Sequence, residues 1–183
     1  MKSNIADIIR EYSSQGVHRT GTPVDHESAR WLAGRIESLG LEARLDEFDF
    51  ERVLVHDARL LVGNLEIQGV PLYDCHYTDP DGITGRLGEV GSNAEIGLMM
   101  ALPYGATPQG QLLEEARLAN AHRAIIVVTD ERLPPSGPAT LNAEHFRKPM
   151  GPPVLQVANR HWAELRTALQ TGAEGCAIVH AER

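Results

Sequence analysis

Apolar residues recur every three or four positions near the start of the chain, which predicts two amphipathic helices. The second helix is predicted from Pro23 to Leu39, with Thr22 as its cap and Gly40 as its stop. The apolar positions of the first helix are Ile5, Ile8, Ile9 and Tyr12. Those of the second are Ala29, Leu32, Ala33, Ile36 and Leu39.

Beyond the second helix the pattern favours strands. The stretch "EARLDEFDFERV" alternates, with Phe48 and Phe50 on one face, as a half-buried strand would. The stretch "ARLLVGNLEIQG" predicts a hairpin around Gly63 and Asn64, because two apolar runs flank a two-residue turn. The uninterrupted apolar run "AIIVVT" is typical of a strand buried on both faces.

The last third of the chain alternates between helix and strand. A helix is predicted over 111–123, and "PVLQVA" follows the next loop as a strand. Asn159 is a candidate cap for a last helix, and "EGCAIVHAE" is the last strand. We therefore expect an α+β fold with α/β-like features, in which N-terminal helices (1–54) precede a β-rich module (55–183) with two flanking helices.

Charge and composition exclude several classes of partner. The 183 residues include 17 basic and 25 acidic side chains, and the basic ones are scattered. Nucleic acids and anionic membranes select clustered Lys and Arg, so neither is an expected partner. Asp7, Arg10 and Glu11 lie where a signal peptide would need an apolar run, so a cytoplasmic location is expected.

Residue types used in catalysis are present, but no catalytic arrangement is recognisable. The eight histidines include no HExxH and no His-x-Asp pair. There is no G-x-S-x-G elbow, phosphate loop or dinucleotide fingerprint. Cys75 and Cys176 lack a CxxC partner and are expected to be packing residues. We expect no catalytic residue and no metal ligand, which favours a binding, positioning or regulatory module over a complete enzyme.

The stretch "HRTGTPVDHESARWLAGRIESLGLEARLDEFDF" resembles the N-terminal segment of the co-catalytic di-zinc aminopeptidases. The resemblance lies in a turn, an aliphatic helix stripe, a Leu-Gly stop and an E-x-F strand. The matching positions outside the stripe are Arg19, Gly21, Thr22, Pro23, Gly40, Glu47 and Phe48. The rest of the chain resembles the protease-associated (PA) domain that such peptidases often insert at this point, a non-catalytic lid or interaction module.

The resemblance implies the front end of a zinc exopeptidase without its catalytic residues. The family's zinc ligands (a His-x-Asp strand, a bridging Asp, a Glu-Glu pair, a further acid and a His) lie beyond the insert, and this chain stops at Arg183. Glu114–Glu115 falls in a predicted helix and does not correspond to the family's pair. Zinc is therefore expected only in a catalytic domain outside this chain, and no cofactor within it.

Exposed side chains of the Pro-rich stretch 131–152 and its surroundings are the candidate binding residues. In PA domains, loops of this kind face the partner or the cleft, although a surface loop without a binding role fits the sequence equally well. The partner implied is a protein or peptide. The candidates are Tyr104, Arg132, His145, Phe146 and Arg147.

Three interpretations remain open. The chain is part of a zinc aminopeptidase and covers its cleft, or it is a complete, stand-alone protein-interaction module. A third, weaker interpretation is an enzyme of unrecognised chemistry that uses Cys75, His76 or Asp81. If the chain is complete, the apolar stripe of helix 23–39 needs cover, and we expect a homodimer or a swapped arrangement through it.

Overall fold

The computed structural model describes residues 5–102, 107–130, 137–139, 141 and 145–183. The chain divides into two compact units, Met1–Glu51 (unit 1) and Arg52–Arg183 (unit 2). Among the described residues, no helix is both long enough and apolar enough to cross a membrane.

Unit 1 consists of two helices, α1 (Ile5–Ser14) and α2 (Pro23–Glu37), followed by extended chain. The Thr22 hydroxyl accepts a hydrogen bond from the Asp25 amide at 3.2 Å, so the predicted cap is present. Ser28 is the only buried residue among those described in the unit. Unit 1 therefore has the predicted helices, but its described residues form no apolar core.

Unit 2 contains seven strands that close into a barrel in the order β1-β2-β6-β5-β4-β3-β7. The pairs β3–β4, β4–β5 and β5–β6 are parallel, and the other four are antiparallel. The strands are β1 (Leu54–Val62), β2 (Leu65–Pro71), β3 (Ile83–Glu89), β4 (Ile96–Ala101), β5 (Ala124–Thr129), β6 (Val154–Val157) and β7 (Glu174–Glu182). The helices are α3 (Pro108–Leu118) and α4 (Trp162–Thr171), the latter preceded by a 3-10 turn at Asn159–His161.

The predicted α+β fold class is wrong, because the described strands form a closed barrel and the helices are short. Closure depends on β1 pairing with β7 along a ladder that runs from Leu54↔Glu182 to Val62↔Gly175. These partners lie more than a hundred positions apart in the chain, and local hydrophobic periodicity carries no information about such pairing. The sequence pattern therefore indicated the strands and helices, but it did not indicate that the first and last strands pair and close the sheet into a barrel.

Several local predictions are confirmed. Val62 pairs with Leu65 across the Gly63 turn, where Gly63 has φ 55°. All six residues of β5 are buried, as an apolar run in the middle of a sheet requires. Asn159 does not cap the last helix: its side-chain amide donates to the Asp130 carbonyl at 3.2 Å.

The two faces of β5 pack into different apolar clusters. Ile126 and Val128 join a cluster that includes Leu165 of α4. Ile125 and Val127 join a second cluster with residues of α3 and of the turn after β2. The second cluster's members are Leu72, Cys75, Met99, Ala101, Leu113, Ala116, Ile125, Val127 and Val154. This packing holds α3 and the turn after β2 against the same face of the sheet.

Candidate interaction surface

A buried ion pair joins three segments of unit 2. The Arg117 guanidinium on α3 lies 2.8 Å from the Asp74 carboxylate in the turn after β2, with side-chain exposures of 4% and 9%. Arg117 also donates to the backbone carbonyls of Asp74 and Met150, at 3.2 and 3.0 Å. The Met150 amide in turn donates to the Asp74 carbonyl at 2.7 Å. Residues 72–78 and 145–151 are thus held to α3 through one guanidinium.

A second set of contacts, between His76 and Gly151, joins the same two segments. The His76 amide and its Nδ1 atom both contact the Gly151 carbonyl, at 3.4 and 2.6 Å. Gly151 has φ 69°, and a Cβ there would lie 2.7 Å from the Arg117 carbonyl oxygen. Glycine is required at this position for both reasons, backbone conformation and space.

Arg183, which directly follows β7, contacts the same two segments. Its guanidinium lies 4.2 Å from the centre of the Tyr77 ring and donates to the carbonyls of Cys75 and Phe146. Burial is the main cause that raises the pKa of Tyr77 above its ordinary value. The phenol therefore stays neutral beneath the guanidinium, which sits over an uncharged aromatic face.

Three of the five predicted binding residues lie on this surface. His145 and Arg147 are exposed, Phe146 is partly buried, and the Arg147 guanidinium lies 5.8 Å from the Phe146 ring centre. Tyr104 and Arg132 lie outside the described residues. Whether 145–147 bind a partner stays a prediction.

Sequence reasoning missed the residues that organise the surface. Asp74, Arg117 and Arg183 are far apart in the chain, and no motif links them. No local signal marks Arg117 for burial, because an arginine directly after an inward-facing helix residue such as Ala116 can extend its charged end into solvent.

The surface carries exposed positive charge on an acidic protein. Arg147, Lys148 and Arg183 are exposed here, whereas the chain as a whole has a net charge of -8. A backbone bond from the Lys148 amide to the His145 carbonyl, at 2.8 Å, keeps these side chains on one short turn. Such a surface suits an acidic side chain or a peptide carboxylate.

The residues of the third interpretation do not form a nucleophilic site. Cys75 is fully buried, and its thiol donates to the Leu72 carbonyl at 2.9 Å. Burial raises the pKa of this thiol to about 12, so it is not a thiolate near neutral pH. His76 is engaged with Gly151, and Asp81 lies in a turn whose amides bond the Asp79 carboxylate. Within the described ranges, no group of three His, Cys, Asp or Glu residues could hold a metal ion.

The fold is similar to part of two solved peptidases. A zinc aminopeptidase from Bacillus subtilis (BSAP) superposes on 96% of this chain with a TM-score of 0.67 at 16% identity, using 42% of its own chain. A peptidase M28 precursor from Shewanella amazonensis SB2B superposes on 97% of this chain with a TM-score of 0.54 at 15% identity, using 46% of its own chain. This chain thus spans less than half the length of either structure. No protein-family model matches the sequence, and no curated protein matches it.

Proposed function

We propose that this chain is the N-terminal segment and protease-associated module of a zinc-dependent aminopeptidase, and that it is itself non-catalytic. The observation that carries the proposal is the superposition of 96% of the chain, both units included, on 42% of a zinc aminopeptidase. At 16% identity that similarity shows the fold, and the activity named for that protein is carried over here as a proposal.

Under this proposal, zinc and the hydrolytic residues belong to a catalytic domain outside residues 1–183. Unit 2 then covers the active-site cleft of that domain or binds a protein or peptide partner. The exposed cations at Arg147, Lys148 and Arg183 support a role in holding an acidic or C-terminal peptide group.

Zinc content and hydrolysis test whether residues 1–183 are non-catalytic. The purified chain, dialysed and analysed by plasma mass spectrometry, should hold far less than one zinc per chain. It should also leave leucine p-nitroanilide intact. One tightly held zinc together with hydrolysis of this substrate would show that the chain is a catalyst and would refute the proposal.

Peptide binding tests the surface itself. A fluorescein-labelled acidic peptide, titrated and followed by anisotropy, should bind the chain, and Arg147→Ala should weaken binding several-fold. Arg160→Ala is the matched control, because Arg160 is also exposed but lies on the 3-10 turn before α4. Equal loss in both variants would mean that general charge attraction, and not this surface, holds the peptide.

A further inference from the structure

Ser28 is the only buried residue among those described in unit 1, and its hydroxyl is the point at which α1, α2 and the turn between them (15–22) meet. The Oγ atom lies 2.6 Å from Nδ1 of His18, 2.7 Å from Oε1 of Gln15 and 2.7 Å from the Val24 carbonyl. Nε2 of His18 lies 2.9 Å from the Tyr12 carbonyl, and the imidazole stacks on the Tyr12 ring, with 3.7 Å between ring centres and 9° between planes. A polar and aromatic network therefore joins the two helices.

The contacts of His18 require a proton on both of its ring nitrogens. The Tyr12 carbonyl can only accept, so Nε2 must donate to it. Ser28 has one hydroxyl proton for three neighbours at hydrogen-bond distance, so two of those neighbours must donate to its oxygen. The Gln15 amide can do so by turning its NH2 group towards Ser28, whereas the Val24 carbonyl cannot, and the second donor is therefore Nδ1. With both nitrogens protonated, His18 is an imidazolium.

Either neutral form of His18 leaves one of these contacts without a proton. With the proton on Nε2, the lone pair of Nδ1 takes the Ser28 hydroxyl proton, and the Ser28 oxygen faces the Val24 carbonyl at 2.7 Å with no hydrogen between them. With the proton on Nδ1, the lone pair of Nε2 faces the Tyr12 carbonyl at 2.9 Å. The stacked Tyr12 ring also attracts a cation over its face more strongly than a neutral ring. Loss of the proton therefore weakens the network at the one buried side chain described in unit 1.

Charged groups of both signs lie on the segments around His18. The Glu11 carboxylate on α1 accepts from the Arg35 guanidinium on α2 at 2.9 Å, so these two charges offset each other. Arg19 follows His18 in the turn, and Asp25 lies in the first turn of α2. Because acids and bases are balanced here, the hydrogen bonds of the ring decide which form of His18 the fold favours.

We propose that His18 is a proton-operated latch of the α1–α2 hairpin, closed when both ring nitrogens carry protons and weakened when one proton is lost. On deprotonation, the Nδ1 proton passes to solvent, and the Ser28 hydroxyl turns from the Val24 carbonyl to the vacated lone pair. Histidine is the side chain whose charge ordinarily changes between pH 5 and 8, so the latch responds within the physiological range. Because the protonated ring makes more hydrogen bonds in the folded hairpin, the hairpin is most stable at low pH and loses stability as pH rises. The latch lies within unit 1 and does not depend on the proposed function.

Nitrogen-15 NMR spectra of the histidine rings test the protonation directly on residues 1–183. At pH 7 both ring nitrogens of His18 should carry protons, whereas the exposed ring of His26, in the same unit, should be mostly neutral. A single protonated nitrogen in His18 at pH 7, with the second proton lost in step with that of His26, would overturn the proposal. This measurement uses the unsubstituted chain, so its outcome does not depend on whether a variant folds.

Two serine variants test whether the Ser28 oxygen holds the proton. Ser28→Ala removes the acceptor of Nδ1, so His18 should then lose its second ring proton in step with His26. Ser38→Ala is the matched control, because the Ser38 hydroxyl at the other end of α2 donates to the Arg35 carbonyl at 2.7 Å. An unchanged His18 spectrum in Ser28→Ala, or an equal change in Ser38→Ala, would refute the assigned contact.

Amide hydrogen exchange tests the latch itself. After correction for the intrinsic effect of pH on exchange, the amides of α1 should exchange several-fold more slowly at pH 6 than at pH 8. His18→Gln has no ring proton to lose and should lack this difference. Equal corrected rates at the two pH values in the unsubstituted chain would refute the latch. A difference that persists in His18→Gln would assign the pH response to another group and would refute it too.

Discussion

The Arg117 guanidinium and the Asp74 carboxylate form an ion pair of 2.8 Å that is almost completely withdrawn from solvent. The pair connects α3 to the turn after β2, and the Met150 carbonyl accepts from the same guanidinium. Buried charges are stable in proteins only when they are paired and hydrogen-bonded. Here the pairing fixes the backbone on which His145, Phe146 and Arg147 are displayed.

Arg117→Met should therefore destabilise the chain strongly. It leaves the Asp74 carboxylate buried without its cation, and breaking a buried pair in this way costs about 3–5 kcal/mol. Urea unfolding followed by circular dichroism measures the loss. The control is Arg123→Met, because the Arg123 guanidinium is exposed and donates to the Thr84 carbonyl at 3.3 Å. That variant should lose less than about 1 kcal/mol, and similar losses in both would contradict a special role for the buried pair.

The two thiols should differ sharply in reactivity. Cys75 is fully buried with a raised pKa, whereas Cys176 is partly exposed and donates to the Asp81 carbonyl at 3.3 Å. Ellman's reagent at pH 8 should label one thiol in the native chain and both in denaturant. In Cys176→Ser the native chain should not react. Rapid labelling of that variant would show that the turn around Cys75 opens freely.

The same thiol predicts a loss of stability at alkaline pH. The pKa of Cys75 rises from its ordinary 9.0 to about 12 in the folded chain, mainly because of burial. Between these values the unfolded state has released the thiol proton while the folded state retains it, so the free energy of unfolding falls as pH rises. Cys75→Ala should show a shallower fall between pH 9 and 11. Burial also raises the pKa of Tyr77, which adds a decline of the same sign that the variant retains.

Two glycines should respond oppositely to alanine. A Cβ at Gly97 would lie 2.6 Å from the His122 ring, which is held by bonds to the Ala94 carbonyl and the Gly91 amide. Gly97→Ala should therefore destabilise unit 2 by about 1–3 kcal/mol in thermal unfolding. Gly34 on α2 has no atom within 4 Å of such a Cβ, and alanine is favoured over glycine there by about 0.5–1 kcal/mol. A stability loss in Gly34→Ala would indicate that α2 is covered in solution.

Local features of this fold could be predicted from the sequence, and long-range ones could not. The Gly63 hairpin and the buried β5 depend on neighbouring residues, so periodicity and turn chemistry were sufficient. The pairing of β1 with β7 and the ion pair between Asp74 and Arg117 join residues that lie far apart in the chain, and no local sequence pattern indicates such contacts. The stripe of α2 shows a further limit. The pattern predicted an apolar face that should be buried, yet Leu32 on α2 is 53% exposed and Leu39, two residues beyond the end of α2, is 77% exposed. Periodicity identifies an apolar face but not the surface that would cover it.

Trypsin should cut residues 1–183 at Arg44 well before it cuts at Arg59. A protease must bind its substrate as an extended, unpaired strand, and Arg44 already lies in an exposed stretch that makes no backbone hydrogen bond to any residue the structure describes. Arg59 is paired on both sides within β1, with Gln68 and with Ile178, so cleavage there requires the barrel to open. Mass spectrometry of timed digests identifies the order of the cuts. Arg44→Gln should remove the early product without speeding cleavage at Arg59. Equal rates at the two arginines would mean that residues 41–50 are already covered in the isolated chain, in conflict with the exposure of Phe48 and Leu45.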